Sequence, residues 1–310
     1  MSLRLAVSEK QLVAERVASL TLRSVDGGDL PEWRPGSHIE LHLPGGFVRQ
    51  YSLCSDPADR SSWRIGVLRE LSGRGASDFM HDAVQVGDVL TAVGPKSNFD
   101  FQAGAEDVLF IAGGIGVTPI LPMVRAAEQS GTNWRMLYLG RNRNSMGFLG
   151  ELEEYGDRVM IHTSEDGGTL PLGRAIAASG LGNPRIYACG PASLLDALAE
   201  GWPAERLHVE RFTGDGTGAL DTDTAFIVET SDGSEIEVAA DETILAAMIR
   251  SGVPALNSCQ EGICGTCETV VLEGTPLHRD SLLSDEERAS NETMMICVSR
   301  CVGDRLVLEL

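Results

Sequence analysis

Positive charge is scarce in this chain. Against 45 Asp and Glu stand only 25 Lys and Arg, giving a formal net charge of −20 over 310 residues. That balance argues against a nucleic-acid partner, because phosphate binding calls for the opposite sign. Long apolar runs are missing too: none approaches the ~20 residues that cross a bilayer, so no membrane partner is expected. The opening stretch, MSLRLAVSEK, has no apolar h-region and no cleavage signal, and a cytoplasmic location is expected. Cysteine is sparse and odd in number, 7 in all, which fits a reducing compartment better than a disulfide framework. No G-x-G-x-x-G fingerprint occurs where a dinucleotide fold would carry one. No pair of His with a carboxylate suggests oxygen activation. The hydrophobic fraction of 43% and charged fraction of 23% are those of a globular protein, and the length suits two or three domains.

The few cysteines form a pattern. SCQEGICGTC, residues 258–267, reads C-x4-C-x2-C, and after 29 further residues comes Cys297. This is the plant-type spacing of a [2Fe–2S] cluster, with Cys259, Cys264, Cys267 and Cys297 as the four thiolates. Gly262 and Gly265 are expected at positive φ, where the missing Cβ lets amide N–H groups approach the cluster sulfurs and favour the reduced state. Structural zinc is the rival. Zinc ribbons present two C-x2-C knuckles, whereas this chain has one such pair and two single thiols. Cys301 is an alternative fourth ligand, and Cys54 is expected to be buried.

Composition and pattern divide the chain into three. The first ~100 residues read as short alternating strands with Gly/Pro turns. In SHIELHLPGG, Ile39, Leu41 and Leu43 share one face, and His38, Glu40 and His42 the other, so the two His are expected to be solvated strand positions rather than metal ligands. From about Asp107 the pattern becomes α/β. VLFIAGG is followed by a glycine turn and a helix from Pro119 to about Ser130, closed by Gly131. MLYLG, VMIHTS, RIYACG and LHVERF supply further strands with helical stretches between them, implying a parallel sheet. TGDGTGALDT, residues 213–222, reads as a linker. Beyond it come a hairpin turning at Asp232-Gly233, a helix from about Glu242 to Ser251 capped by Asp241, and the cysteine loop, a small α+β pattern. Residues 222–310 carry 17 acidic and 5 basic side chains, a net of −12. Either this is only a solvated surface, or it is a negative face for a basic docking patch on an electron acceptor.

Two further sites stand out. GGIGVTP, residues 113–119, sits at a strand-to-helix turn whose glycines, capping Thr118 and Pro119 suit a pyrophosphate, or serve packing alone. CGP at 189–191 ends another strand of the same sheet, at the edge where ligands bind. Cys189 there either faces a bound ring or is a small buried apolar group. In RQYSL and SGRGAS, Arg49 and Arg74 with the Gly73–Gly75 turn could hold a phosphate.

In that order, RQYSL, GRGAS, GGIGVTP, CGP, ERF and SCQEGICGTC resemble the phthalate dioxygenase reductase and vanillate O-demethylase reductase family, over essentially the whole chain. The resemblance implies three domains. Residues 1–103 would be a flavin-binding antiparallel β-barrel for FMN. Residues 104–212 would be an α/β parallel-sheet nucleotide domain of the ferredoxin–NADP reductase kind. Residues 213–222 would link these to an α+β, β-grasp ferredoxin domain at 223–310 holding the [2Fe–2S] cluster. It implies FMN contacts from Arg49, Tyr51 and Ser52, with Arg49 near the phosphate and Ser52 near the flavin N5. Gly73, Arg74, Gly75 and Ser77 would match the phosphate-holding turn, where Ala76 replaces a glycine and puts a positive-φ requirement there in doubt. Gly114, Gly116, Thr118 and Cys189 would face the nicotinamide nucleotide, and Phe212 would lie near the flavin ring. Ser52 and Cys189 are the residues expected to orient the reacting pair.

In function, the resemblance implies a monomeric reductase component that passes electrons from NADH through FMN and the cluster to a Rieske-type oxygenase acting on aromatic compounds. The series is chemically coherent, since NADH gives two electrons as hydride, the cluster takes one at a time, and a flavin can do both. The alternatives are an FAD-dependent reductase of another multicomponent monooxygenase, whose ferredoxin domain usually comes first, and a redox sensor signalling through its cluster. Nothing encodes the oxygenase's substrate. Arg141 and Arg143 follow the second parallel strand, where a 2′-phosphate could sit, so NADH is favoured over NADPH by resemblance only.

Overall fold

A computed structural model describes residues 2–44, 47–71, 75–212, 220 and 222–310. By internal contacts the chain divides into two compact units, 1–212 and 213–310.

The first unit opens with a six-stranded antiparallel sheet. Its strands are β1 (Ser2–Ala14), β2 (Val17–Ser24), β3 (Ser37–Leu43), β4 (Phe47–Ser52), β5 (Trp63–Leu68) and β6 (Val89–Ser97), in the order β4-β3-β6-β1-β2-β5. A bridge from Leu53 to Ile65 joins the two edges and closes the sheet into a barrel. Alternation explains the interior: Leu20, Leu22, Ile39, Leu41, Ile65 and Val67 all face one core. The other face of β3 is not solvated as its sequence predicts. His38 and Glu40 are 6% and 7% exposed, and only His42 lies open. β3 runs between β4 and β6, and six of its seven residues are buried, so both of its faces are covered. Burial, with Lys96 close by, lowers the His38 pKa to about 4 and keeps it neutral. A short helix α1 (Ala76–Asp78) follows Gly75, which carries the positive φ of 96°. Ala76 is helical and buried, so the SGRGAS turn needs no glycine there.

The second sheet is parallel, β7 (Val108–Gly113), β8 (Trp134–Gly140), β9 (Val159–Thr163), β10 (Arg185–Cys189) and β11 (Leu207–Glu210), in the order β11-β10-β7-β8-β9. All six residues of β7 are buried, as an apolar strand covered on both faces should be. The connecting helices are α2 (Val117–Ser130), α3 (Leu149–Glu153), α4 (Ser164–Gly167), α5 (Leu172–Ala178) and α6 (Ala192–Gly201). Gly131, at φ 72°, closes α2 as expected. At its start α2 differs from the expectation. The helix begins at Val117, two residues before Pro119, because Gly114–Gly116 forms a tight turn leading directly into it. Thr118 therefore does not cap; its Oγ1 donates to the Ile115 carbonyl at 3.0 Å.

The second unit holds β12 (Phe226–Thr230), β13 (Glu235–Val238), α7 (Ile244–Arg250), β14 (Glu268–Glu273), β15 (Pro276–Leu277), α8 (Asp285–Ser290), β16 (Thr293–Met295), β17 (Arg300–Cys301) and β18 (Arg305–Leu308). The main sheet runs β13-β12-β18-β14-β16, with β18 parallel to β12, and α7 contributes Ile244, Leu245, Ala247 and Met248 to the core. Thr243, not Asp241, caps α7, accepting the Ala246 N–H at 3.1 Å. Among the described residues no helix is long and apolar enough to cross a membrane.

Candidate functional site

In the parallel sheet, β7 is the first strand in sequence. β8 lies on one side of it and β10 on the other, so the chain order reverses between β7 and β10. Open α/β sheets bind ligands outside the carboxyl ends of the strands at such a point. Both glycine motifs end there. A Cβ on Gly116 would lie 2.3 Å from the Cys189 carbonyl oxygen, and one on Gly113 would lie 2.6 Å from Pro191. The GGIGVTP and CGP turns thus touch, which only glycine permits. Gly114 takes φ 55°; Gly114 and Gly116 lie in the GGIGVTP turn, Cys189 ends the neighbouring strand, and Thr118, 2% exposed, follows in the first turn of α2.

Cys189 is fully buried, and burial, with Glu210 nearby, raises its pKa well above that of a free thiol. Register explains the second influence, because Cys189 pairs with Glu210 on β11. Glu210 ends that strand with its carboxyl enclosed. Burial lifts its pKa to about 8, against a hydrogen bond from Ser52 that pulls it down, and Oε2 has no partner. Ser52 is the last residue of β4 and is 5% exposed. Strands from the barrel and the parallel sheet therefore bring Ser52, Glu210 and Cys189 together. Sequence reasoning used the ERF motif only for Phe212 and missed Glu210. The available signal was a carboxylate ending a strand at the ligand-binding edge.

The remaining expected residues are more scattered. Tyr51 pairs with Ile39 and packs against the barrel core; burial raises its pKa. Arg49 lies over the Phe47 ring at 5.6 Å, with Nη1 donating to the Val48 carbonyl at 2.7 Å. Ser77 Oγ accepts the Glu70 N–H at 3.1 Å. Gly73 and Arg74 lie outside the described residues. Phe212 is half-buried against the core that also holds Cys189 and Cys54. Arg141 pairs with Glu165 at 3.0 Å and Arg143 pairs with Glu153.

In the second unit Gly262 and Gly265 take φ of 70° and 75°. Beside Gly262 there is no room for a Cβ, which would lie 2.6 Å from Val298 and 3.0 Å from the Asp280 Cα. Asp280 itself is buried, and its Oδ2 accepts the N–H groups of Leu282 and Leu283 at 3.2 and 2.8 Å. The Ser281 N–H donates to the Gly262 carbonyl at 3.0 Å, so this turn backs the loop. Thiol contacts join Cys259 to Cys264, Cys259 to Cys297, and Cys267 to Cys297. Those contacts, from Cys264 first, lower the Cys259 pKa, and the Glu261 N–H reaches its Sγ at 3.3 Å. Cys301 turns away, its Sγ donating to the Arg305 carbonyl at 3.3 Å. Among the described residues no three His, Cys, Asp or Glu converge on one metal position. The thiols link in a chain of pairs. An all-thiol set also serves zinc, but four thiols that meet in pairs rather than at one point, at the plant-type spacing, fit two irons.

Comparison with known proteins agrees. Residues 227–302 match the model of the 2Fe-2S iron-sulfur cluster binding domain. Phenoxybenzoate dioxygenase subunit beta of Ectopseudomonas oleovorans is 41% identical over 96% of this chain and 94% of its own. The structure of phthalate dioxygenase reductase is 32% identical with a TM-score of 0.76, covering 100% of this chain and 98% of that one. An intact type IV self-sufficient cytochrome P450 monooxygenase is 39% identical with a TM-score of 0.86 over the whole of this chain, which spans 41% of that longer protein. With the barrel, the parallel sheet and the cysteine loop in the same order, the chain belongs to the phthalate dioxygenase reductase and vanillate O-demethylase reductase family of oxidoreductases.

Proposed function

We propose that this chain takes hydride from NADH onto FMN and passes electrons singly through its [2Fe–2S] cluster to a separate Rieske-type oxygenase of aromatic compounds. The observation carrying this is the meeting of Ser52, Glu210 and Cys189 at the reversal point of the parallel sheet, in a chain that also holds the four-thiol loop. Bound FMN supplies the conversion between two-electron and one-electron transfer. The protein's part is orientation. Ser52 holds a hydrogen bond at the reacting edge of the ring, and Cys189 shapes the nicotinamide's place. Arg49, Tyr51, Gly73, Arg74, Gly75 and Ser77 secure the flavin and its phosphate. Gly114, Gly116 and Thr118 give the nucleotide close backbone approach, and Phe212 covers the ring. Cys259, Cys264, Cys267 and Cys297 hold the irons. The protein acts as a monomer, its acidic ferredoxin face docking on a basic patch of the oxygenase.

An anaerobic absorption spectrum before and after NADH tests the whole chain of transfer. Flavin and cluster bands should both bleach, and mass analysis of the extracted flavin should return FMN. A protein that stays colourless after reconstitution, or whose flavin bleaches while its iron stays oxidised, would overturn the reading. A second reading, with a haem monooxygenase as acceptor, is favoured by the whole-chain match to the cytochrome P450 enzyme at the higher TM-score. Reduction rates with a Rieske and a haem oxygenase, measured side by side, separate the two.

A further inference from the structure

We infer that Arg64, Glu151 and Arg125 form a positioning clamp that sets the alignment of the flavin strand with the nucleotide-binding helix, and with it the rate of hydride transfer. This rests on the NADH-to-flavin reading above. Arg64 lies on β5 of the barrel, Arg125 on α2, and Glu151 on α3. Arg64 grips Glu151 with two parallel hydrogen bonds of 2.8 and 2.9 Å, and Arg125 pairs with the same carboxylate. Both guanidinium groups then donate to one acceptor, the Cys54 carbonyl, at 3.0 Å each.

That carbonyl is placed where it matters. Cys54 is two residues beyond Ser52, about 7 Å along an extended chain. Arg125 is two helical turns beyond Thr118, on the same face of α2 and about 10 Å along its axis. The clamp therefore ties the strand that carries Ser52 to the helix that opens at the nucleotide turn. A second contact reinforces it. Gly66, two residues past Arg64 on β5, has Thr118 and Phe148 so near that a Cβ would lie 2.7 Å from Thr118 Cγ2. Phe148 in turn lies under the Arg64 guanidinium at 5.0 Å.

A shielded ion pair is often no better for stability than apolar packing of the same volume, but its bidentate geometry fixes direction. The three side chains are 23%, 34% and 22% exposed, for Arg64, Glu151 and Arg125 in turn, so solvent only partly competes. Hydride transfer is sensitive to misplacements of about 1 Å, so a clamp at this distance acts as a lever on the reacting pair.

The test uses the full-length holoprotein, anaerobic stopped-flow reduction of its flavin by NADH, and the variants Arg125→Ala and Arg125→Lys. The expected result for Arg125→Ala is a limiting rate at saturating NADH lowered tenfold or more, with flavin content, iron content and half-saturating NADH within twofold of wild type. Arg125→Lys, which keeps the charge but lacks the planar fork whose two nitrogens serve the carbonyl and the carboxylate separately, should recover an intermediate rate. If Arg125→Ala does not fold, the Arg125→Lys rate alone decides, and a value equal to wild type rejects the clamp. An unchanged limiting rate in Arg125→Ala also rejects it, as does a loss that appears only in half-saturation. A wild-type flavin that NADH fails to reduce would instead remove the underlying functional reading.

Discussion

Glu210 is the residue whose chemistry depends most on its surroundings. Burial holds its carboxyl neutral up to about pH 8, while the Ser52 hydrogen bond favours the ionised form. Below that pH the group carries its proton; above it a negative charge stands beside Cys189. A nicotinamide that gives up hydride becomes positive, so the ionised carboxylate favours the transfer. The limiting rate of flavin reduction by NADH should therefore rise as pH passes through about 8. In Glu210→Gln the profile should be flat, and a rise surviving in that variant would clear Glu210 of the role. Among the thiols, Cys297→Ser should lose most of its iron and Cys301→Ser should keep it, because Cys297 contacts Cys259 and Cys267 whereas Cys301 is bound to the Arg305 carbonyl. Iron analysis checks both, and iron lost only in Cys301→Ser would exchange the assignments.

Elements of the second unit are joined by one carboxylate. Asp223 receives Arg279 Nη1 at 2.7 Å, Arg300 Nε at 3.3 Å and the Leu220 N–H at 2.8 Å. Arg300 continues to the carbonyls of Thr224 and Ala239 and lies over Phe226 at 5.0 Å. The Arg279 hydrogen bond is the chief reason the Asp223 pKa falls to about 2. A depressed carboxylate pKa adds stability above the unfolded value, near 3.9, and loses it as pH falls through the folded one. Melting of the unit, followed through its cluster absorbance, should weaken between about pH 4 and 2. Asp223→Asn, which leaves the buried Arg300 and the partly buried Arg279 without their shared anion, should cost about 3 kcal/mol at pH 7 and flatten that acid limb. Legibility in the sequence follows the same division between local and distant. The cysteine spacing, the positive φ of Gly262 and Gly265, the Gly131 stop and the strand runs are written locally, and the chain displays them. His38 looked solvated because its strand alternates, yet what covers it comes from the rest of the fold. Thr118 and Asp241 were misread as caps because a helix start depends on the preceding turn. Glu210 lies 158 positions from Ser52, and Glu151 lies 87 from Arg64 and 26 from Arg125. No periodicity could pair them.

At the scale of the whole molecule, charge is unevenly spread. The net −12 of residues 222–310 is more than half of the total −20 on less than a third of the length. A face of that sign raises the encounter rate with a basic acceptor, and salt removes the advantage because the Debye length shrinks to ~8 Å at physiological ionic strength. Two electron transfers in the same protein should then respond differently. Delivery from the reduced cluster to an oxygenase, or to a basic acceptor such as cytochrome c, is bimolecular and should slow on the order of tenfold from low to physiological salt. Reduction of the cluster by the flavin occurs within one chain and should change less than twofold under the same conditions. If delivery is as flat as the internal step, the acidity of the ferredoxin unit keeps the protein solvated and takes no part in finding the acceptor. If both steps fall together, salt is acting on the reductase itself rather than on the encounter.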